Sequence, residues 1–189
     1  MRCKYKVNIC CLCIVCMCCF LCIGKMSAQN KIEGFYGLKL GMSKSEVISI
    51  LRSKSINYKI EDSAIRIHNV TFANQSFESL YLGFKNNKLR VGTFKCSDAR
   101  VGDPNGFFFN EMSQRARQYR GVFDQMYSIF LSKYGTPQIS NDNQYVWINK
   151  NQISLEYEFE DNMESPYTRL VRTAVYVIYK LIDNNSTDY

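Results

Sequence analysis

The stretch SLYLGFKNNKLRVGTFKC, residues 79–96, decides the fold class of this chain. Two runs with strand character flank Asn86-Asn87, and a pair of asparagines tolerates the positive φ angles of a tight turn. The alternation predicts one apolar face on each strand, formed by Leu80, Leu82 and Phe84 and by Leu89, Val91 and Thr93. The stretch therefore predicts an antiparallel hairpin with strands over residues 79–85 and 88–96.

On the N-terminal side, the sequence predicts a helix over residues 43–54. Ser43 and Glu46 have the spacing of a capping box, and Val47, Ile50 and Leu51 form an apolar stripe behind it. Residues 29–36 look like a short polar lead-in, and residues 64–72 have the composition of a further strand.

On the C-terminal side, glycine, proline and polar residues concentrate in residues 97–110, which we interpret as a long connection between two halves. A second helix follows, which Gly135 and Pro137 end. Its apolar residues obey the three-four spacing of a helix: Tyr119, Val122, Phe123, Met126, Tyr127, Phe130, Leu131 and Tyr134.

The remaining residues predict a hairpin over 145–148 and 153–159, a last strand over 173–182, and a polar tail over 183–189. In the second hairpin strand, the alternation assigns Ile153, Leu155, Tyr157 and Phe159 to the core and Ser154, Glu156, Glu158 and Glu160 to solvent. The predicted class is α+β, with two helix-plus-antiparallel-meander units whose helices pack on one face of an antiparallel sheet. One domain, residues 29–182, then contains half-units over about 37–96 and 111–182.

The first 28 residues have the pattern of an export signal. Three basic residues precede an uncharged run over residues 7–24, and a small-residue exit ends at Ala28. We predict a signal peptide over residues 1–28 and an exported protein that is periplasmic, envelope-associated or secreted. Because ~18 apolar residues can just span a bilayer, an uncleaved anchor is the alternative, and contact with a membrane is expected only in that case.

The number of cysteines and the net charge limit the disulfides that the chain can form and the molecules that it can bind. Eight of the nine cysteines lie in the leader, so Cys96 has no cysteine partner for an internal disulfide. Four of the 24 basic residues and no acid lie there too, so the net charge falls from +7 to +3 without it. Because the remaining basic residues alternate with acids, we expect no nucleic-acid partner. Because the chain has one histidine and no phosphate-binding motif, we expect no metal and no cofactor.

Two short motifs carry a resemblance to a known family. Residues 41–47, GMSKSEV, resemble the helix-opening signature of the small exported α/β repeats of outer-membrane assembly lipoproteins and β-lactamase inhibitory proteins. Residues 131–137, LSKYGTP, with Trp147 on the next strand, resemble the end of the same signature. The first helix lacks the Gly-x-Pro ending, and the second lacks the Gly-Met-Ser opening. The resemblance implies a scaffold that binds other proteins and has no catalytic centre.

Catalytic constellations have few candidates in this chain. His68 is the only histidine, and it lies in a predicted strand where a surface position is the ordinary expectation. Glu156, Glu158 and Glu160 share one strand face, so a small hydrolase that uses a carboxylate pair is the alternative function. An approach of two acids inside an apolar cleft would favour the hydrolase, and acids lying open beside Arg or Lys would favour binding.

The segment before the second helix is the predicted binding site. Three consecutive phenylalanines, Phe107, Phe108 and Phe109, cannot all face one core, and Arg115, Arg117 and Arg120 follow them. Aromatic and guanidinium groups are enriched at protein interfaces, although the same residues can also pin a loop to the sheet. We therefore predict a non-enzymatic domain that binds a protein or an envelope component, with a purely structural envelope protein as a further alternative.

Overall fold

The structure, a computed structural model, describes residues 30–102, 107–165 and 168–182. Its mixed helix and strand content confirms the predicted α+β class. The helices are α1 (Lys44–Ser53) and α2 (Phe107–Tyr134). The strands are β1 (Gly34–Phe35), β2 (Leu38–Lys39), β3 (Lys59–Glu61), β4 (Ala64–Phe72), β5 (Gln75–Lys85), β6 (Lys88–Gly102), β7 (Ile139–Asn141), β8 (Gln144–Asn149), β9 (Asn151–Ser165) and β10 (Thr168–Leu181).

Eight strands form one antiparallel sheet in the order β3-β4-β5-β6-β10-β9-β8-β7, and β1 pairs with β2 apart from it. The central strands β6 and β10 are paired from Val91 opposite Lys180 to Gly102 opposite Arg169. The strands that follow α1 therefore occupy one half of the sheet, and the strands that follow α2 occupy the other half.

Both helices bury their apolar residues in one core against the same face of this sheet, which we call the inner face. Val47 and Leu51 of α1 and Phe123 and Phe130 of α2 are fully buried in that core. Burial of a large apolar side chain contributes about 1.5–3 kcal/mol. The register aligns one row of the inner face across five strands: Leu80, Phe94, Val177, Leu155 and Tyr145.

The capping box of α1 is present as the sequence predicts. The backbone N–H of Ser43 donates to Glu46 Oε2 at 2.7 Å, and the backbone N–H of Glu46 donates to Ser43 Oγ at 3.3 Å. The hydroxyl and backbone hydrogen bonds from Ser43 hold the pKa of Glu46 below its usual value. The helix therefore begins where the sequence predicts, with two of its unpaired N–H groups satisfied.

The interpretation of residues 29–36 as a polar lead-in is wrong, because this segment fills part of the core. Ile32 and Phe35 are buried, and the Phe35 ring lies 4.7 Å from the Tyr179 ring between their centroids. The ring of Phe35 lies so close to Gly92 that a Cβ there would come within 1.8 Å of it. The β1–β2 hairpin therefore packs directly on the middle of β6.

The predicted connection over residues 97–110 is also wrong, because β6 continues to Gly102 and α2 already begins at Phe107. The charged residues that suggested a loop lie on β6 and form ion pairs with side chains of α2. Asp98 Oδ2 lies 3.1 Å from Arg115 Nη1, and Glu111 Oε1 lies 3.0 Å from Arg100 Nη1. These ion pairs allow charged residues on the inner face of a strand, where an alternation pattern expects apolar ones.

The predicted apolar face of β6 is wrong beyond Leu89. A register shift between Gly83 and Phe84 of β5 adds one residue to β6 before Val91. After this bulge, Val91 and Thr93 lie on the face away from the helices, while Phe94 and Cys96 enter the core.

Four predictions about the second half also need correction. β8 and β9 are joined through Lys150 alone, at φ 59°, and β10 starts at Thr168 instead of residue 173. Phe159, which the sequence assigns to the core, is 49% exposed. Its neighbour on β10, Thr173, is fully buried, so the core on the inner face ends between these two residues. Leu131 of the predicted apolar stripe is exposed at the last turn of α2. Across the described ranges, no helix is long and apolar enough to cross a bilayer.

Candidate interface on the outer face of the sheet

The sheet has a second face, opposite the helices, which we call the outer face. One row of it runs across five strands through Tyr81, Thr93, Ile178, Ser154 and Val146. The next row contains Ser79, Lys95, Tyr176, Glu156 and Gln144. Tyr81, Thr93, Tyr176 and Ile178 remain partly exposed at the middle of the sheet. Both helices bury their apolar residues on the other side, so these side chains face solvent.

Two tyrosine rings of the outer face each make a cation–π contact with a basic side chain. The guanidinium carbon of Arg66 lies 5.9 Å from the centre of the Tyr81 ring, and Lys95 Nζ lies 5.8 Å from the centre of the Tyr176 ring. Arg66 is also fixed by Glu61, whose Oε1 accepts a hydrogen bond from its Nε at 3.1 Å. Cation–π contacts of this kind position the aromatic rings, so the face presents ordered aromatic and basic groups.

The carboxylates of β9 lie at the acidic side of this face. Glu160 Oε2 lies 3.1 Å from Arg172 Nη1, and Glu156 Oε1 accepts a hydrogen bond from Gln144 Nε2 at 3.1 Å. Burial raises the pKa of Tyr176, and the nearby Glu158 carboxylate raises that pKa further. The acids thus contact basic, amide and phenol groups, and Glu158 is exposed. This is the arrangement that the sequence argument associates with binding rather than with a catalytic carboxylate pair.

The edge of the outer face at β7 and β8 is apolar. Ile139 is 47% exposed and Ile148 is 41% exposed. Val146 lies opposite Ile139 and is buried, as is Ser154, which the sequence assigns to solvent. The outer face therefore has two exposed isoleucines at this edge, two tyrosines at its centre and carboxylates along β9.

The structure places the sequence-predicted binding residues on α2. Phe107, Phe108 and Phe109 form its first turn, but their side chains lie outside the described residues. Arg115 pairs with Asp98 and Glu111, and Arg120 donates to the carbonyl oxygen of Asp142 at 2.8 Å and covers the Phe123 ring at 4.8 Å. Arg117 is exposed. Two of the three arginines therefore make contacts within the chain, and a binding role for the set stays a prediction.

The only histidine of the chain, His68, and the cysteine of the described chain, Cys96, lie on opposite faces of the sheet. His68 is exposed on β4, whereas Cys96 is buried, and burial raises the pKa of the Cys96 thiol to about 11. A thiol with a raised pKa is protonated at neutral pH and is a poor nucleophile. Among the described residues, no group of three or more His, Cys, Asp and Glu side chains is arranged to hold a metal ion.

Sequence reasoning missed the outer face, although the sequence carries a signal for it. Tyr81 and Tyr176 fall at positions that alternate with core residues and so belong to the solvent side, where large aromatic groups are unusual. The bulge in β6 hid Thr93 and Lys95, because it reversed the expected alternation. Comparisons of the chain with protein-family models, with curated proteins and with solved structures find no match.

Proposed function

We propose that this chain is an exported, non-enzymatic α+β domain that binds another protein, or an envelope component, through the outer face of its sheet. Export follows from the leader pattern over residues 1–28. We further propose that the domain consists of two helix-plus-meander units joined at β6 and β10. This proposal draws on the order of the elements, in which four strands follow each helix.

The observation that supports the proposal is the pair of tyrosines, Tyr81 and Tyr176, each in a cation–π contact, at the centre of a sheet face that the two described helices leave uncovered. Tyrosine and arginine are enriched among the residues that contribute most to protein association. A side chain that is already held by a neighbour loses less conformational entropy on binding, so such a face favours association. A purely structural protein has no need of a patch of this kind.

The hydrolase alternative receives less support from the contacts of the β9 carboxylates. A general acid with a raised pKa needs an apolar pocket or a second carboxylate close by. Glu160 instead lies beside Arg172, and Glu156 contacts an amide. We therefore keep binding as the proposed function.

Affinity capture tests this function. The exported protein is used as bait on the envelope fraction of the cells that produce it, together with two variants whose folding is checked by circular dichroism. One variant carries Tyr81→Ser and Tyr176→Ser on the outer face, and the other carries Arg117→Ser on the exposed side of α2. We expect one partner with the wild type and with the Arg117 variant, and its loss with the tyrosine variant.

The other outcomes are equally informative. Loss of the partner with the Arg117 variant alone would move the interface to α2, where the sequence argument predicts it. Absence of a specific partner for all three proteins would contradict the binding function.

A further inference from the structure

Four exposed lysines surround the β1–β2 hairpin at one end of the domain, and we call them the hairpin lysines: Lys31, Lys39, Lys133 and Lys150. One surface hollow is lined by Lys31, Lys39 and Lys150, and a second by Lys39 and Lys133. Among the described residues that line the two hollows, Glu33 is the one carboxylate. The group therefore has an excess of three positive charges within a small area.

The ion pairs of the described residues are all made by arginines, so what distinguishes the hairpin lysines from the other lysines is that they lie together around two hollows with one carboxylate. In the described part of the chain, none of the four forms an ion pair, and Lys133 Nζ lies 5.1 Å from the centre of the Tyr134 ring. At the opposite end of the sheet, positive charges are cancelled by neighbours, as Arg100 is by Glu111 and Arg169 by Asp161. The two ends are about 40 Å apart, because the strand from Arg169 to Leu181 separates them at ~3.3 Å per residue.

The hairpin lysines lie close to the first described residue, Asn30, which follows the predicted leader. Asn30 Nδ2 donates a hydrogen bond to the carbonyl oxygen of Lys133 at 2.7 Å, so the start of the described chain is fixed beside the end of α2. The uncharged run of the leader ends at Gly24. The six Cα-to-Cα steps from Gly24 to Asn30 span at most about 20 Å, so a leader seated in a bilayer keeps this end of the domain near the lipid headgroups.

We propose that, in the form of the protein that keeps its leader as an anchor, the hairpin lysines hold this end of the domain against anionic phospholipid headgroups of the membrane to which the leader directs the chain. Two independent observations carry the proposal: the four lysines lie together with one described carboxylate among them, and they lie beside the start of the described chain. Each lysine near an anionic surface raises the partition of a protein onto it by about fivefold, and the effect is lost beyond a Debye length. This surface is separate from the outer face of the sheet, so neither proposal depends on the other.

Lysine footprinting on vesicles tests the proposal. The full chain with its leader is reconstituted into vesicles of phosphatidylcholine, with or without phosphatidylglycerol. An amine-acetylating reagent then reports the reactivity of each lysine by mass spectrometry. On the anionic vesicles we expect acetylation of the hairpin lysines to slow by about fivefold, while Lys59 and Lys95 keep their rates. Added salt is expected to remove the difference.

Two variants with equal change of charge sharpen the test. Lys31→Gln, Lys39→Gln and Lys150→Gln are combined in one protein, and Lys59→Gln, Lys95→Gln and Arg117→Gln in the other. We expect the first variant to lose the protection of Lys133 on anionic vesicles and the second to keep it. Equal acetylation rates on both kinds of vesicle for the wild type, or equal loss of protection in both variants, would overturn the proposal. Because the readout is position-specific, attachment through the leader alone gives no protection and counts against it.

Discussion

The indole nitrogen of Trp147 donates a 2.7 Å hydrogen bond to the carbonyl oxygen of Gly135. Gly135 follows the last residue of α2 in a left-handed conformation, at φ 76°, and Trp147 is fully buried on β8. The bond therefore joins the end of the second helix to the strand pair that follows it. It also satisfies a carbonyl oxygen that the end of a helix leaves without a partner.

The first prediction concerns this bond. Trp147→Phe removes the donor, leaves a carbonyl oxygen poorly satisfied in the core and empties part of the indole volume. We expect a loss of about 2–4 kcal/mol in the free energy of unfolding, measured by urea denaturation followed by far-ultraviolet circular dichroism. Tyr81→Phe on the outer face is the control, with an expected change within about 0.5 kcal/mol. Similar urea midpoints for the two variants would contradict the role given to Trp147.

The second prediction compares two glycines. Gly92→Ala forces the Phe35 ring away from β6, since the new Cβ would lie 1.8 Å from it, whereas a Cβ at Gly121 of α2 meets nothing within 4 Å. We expect Gly92→Ala to destabilise the fold by about 1–3 kcal/mol. Gly121→Ala is expected to stabilise it by about 0.5–1 kcal/mol, because alanine is the better helix former. Thermal unfolding checks both, and a stabilised Gly92 variant would show that the hairpin does not pack on β6.

The third prediction separates two neighbouring arginines of α2. Arg115 lies in an ion-pair network with Asp98 and Glu111, while Arg117 is exposed. We expect Arg115→Gln to lower the free energy of unfolding by up to about 1 kcal/mol, because the network is partly open to solvent. Arg117→Gln is expected to leave it unchanged. If high salt does not reduce the difference in the free energy of unfolding between the two variants, the contribution of Arg115 is not electrostatic.

The fourth prediction concerns pH and the Cys96 thiol. Its pKa in the folded state is raised from 9.0 to about 11 by burial. A group with a raised folded pKa stabilises the fold below its unfolded pKa, and this contribution is lost as the pH rises from about 9 to about 11. Stability should therefore fall more steeply over that interval in the wild type than in Cys96→Ala. Parallel pH profiles for the two proteins would show that the thiol does not titrate as a buried group.

Sequence patterns predicted the local elements best where one physical rule acted alone. Ser43 and Glu46 are three residues apart, and no distant residue is needed for a capping box, so the start of α1 was found. The end of α2 at Gly135 was found for the same reason, since a left-handed glycine ends a helix locally.

The errors lie where distant residues satisfy a segment. Asp98 and Arg100 look like loop residues until Arg115 and Glu111 are brought beside them by α2. Ile32 and Phe35 look like part of a polar lead-in until β6 offers Gly92 as a place to pack. The bulge before Val91 reversed the faces of β6, so Thr93 and Lys95 were not expected on the outer face. Neither contact nor bulge has a local sequence signature, so the candidate interface could not be assembled from the sequence.

Photocrosslinking at the centre of the outer face tests the central proposal most directly. Benzoylphenylalanine is placed at Thr93 in one protein and at Gln118, on the exposed side of α2, in the other, and each is irradiated in the envelope of the producing cells. We expect one discrete crosslinked species from Thr93 and none from Gln118, with the Thr93 adduct lost when Tyr81→Ser and Tyr176→Ser are added. A discrete adduct from Gln118 and none from Thr93 would contradict binding through the outer face.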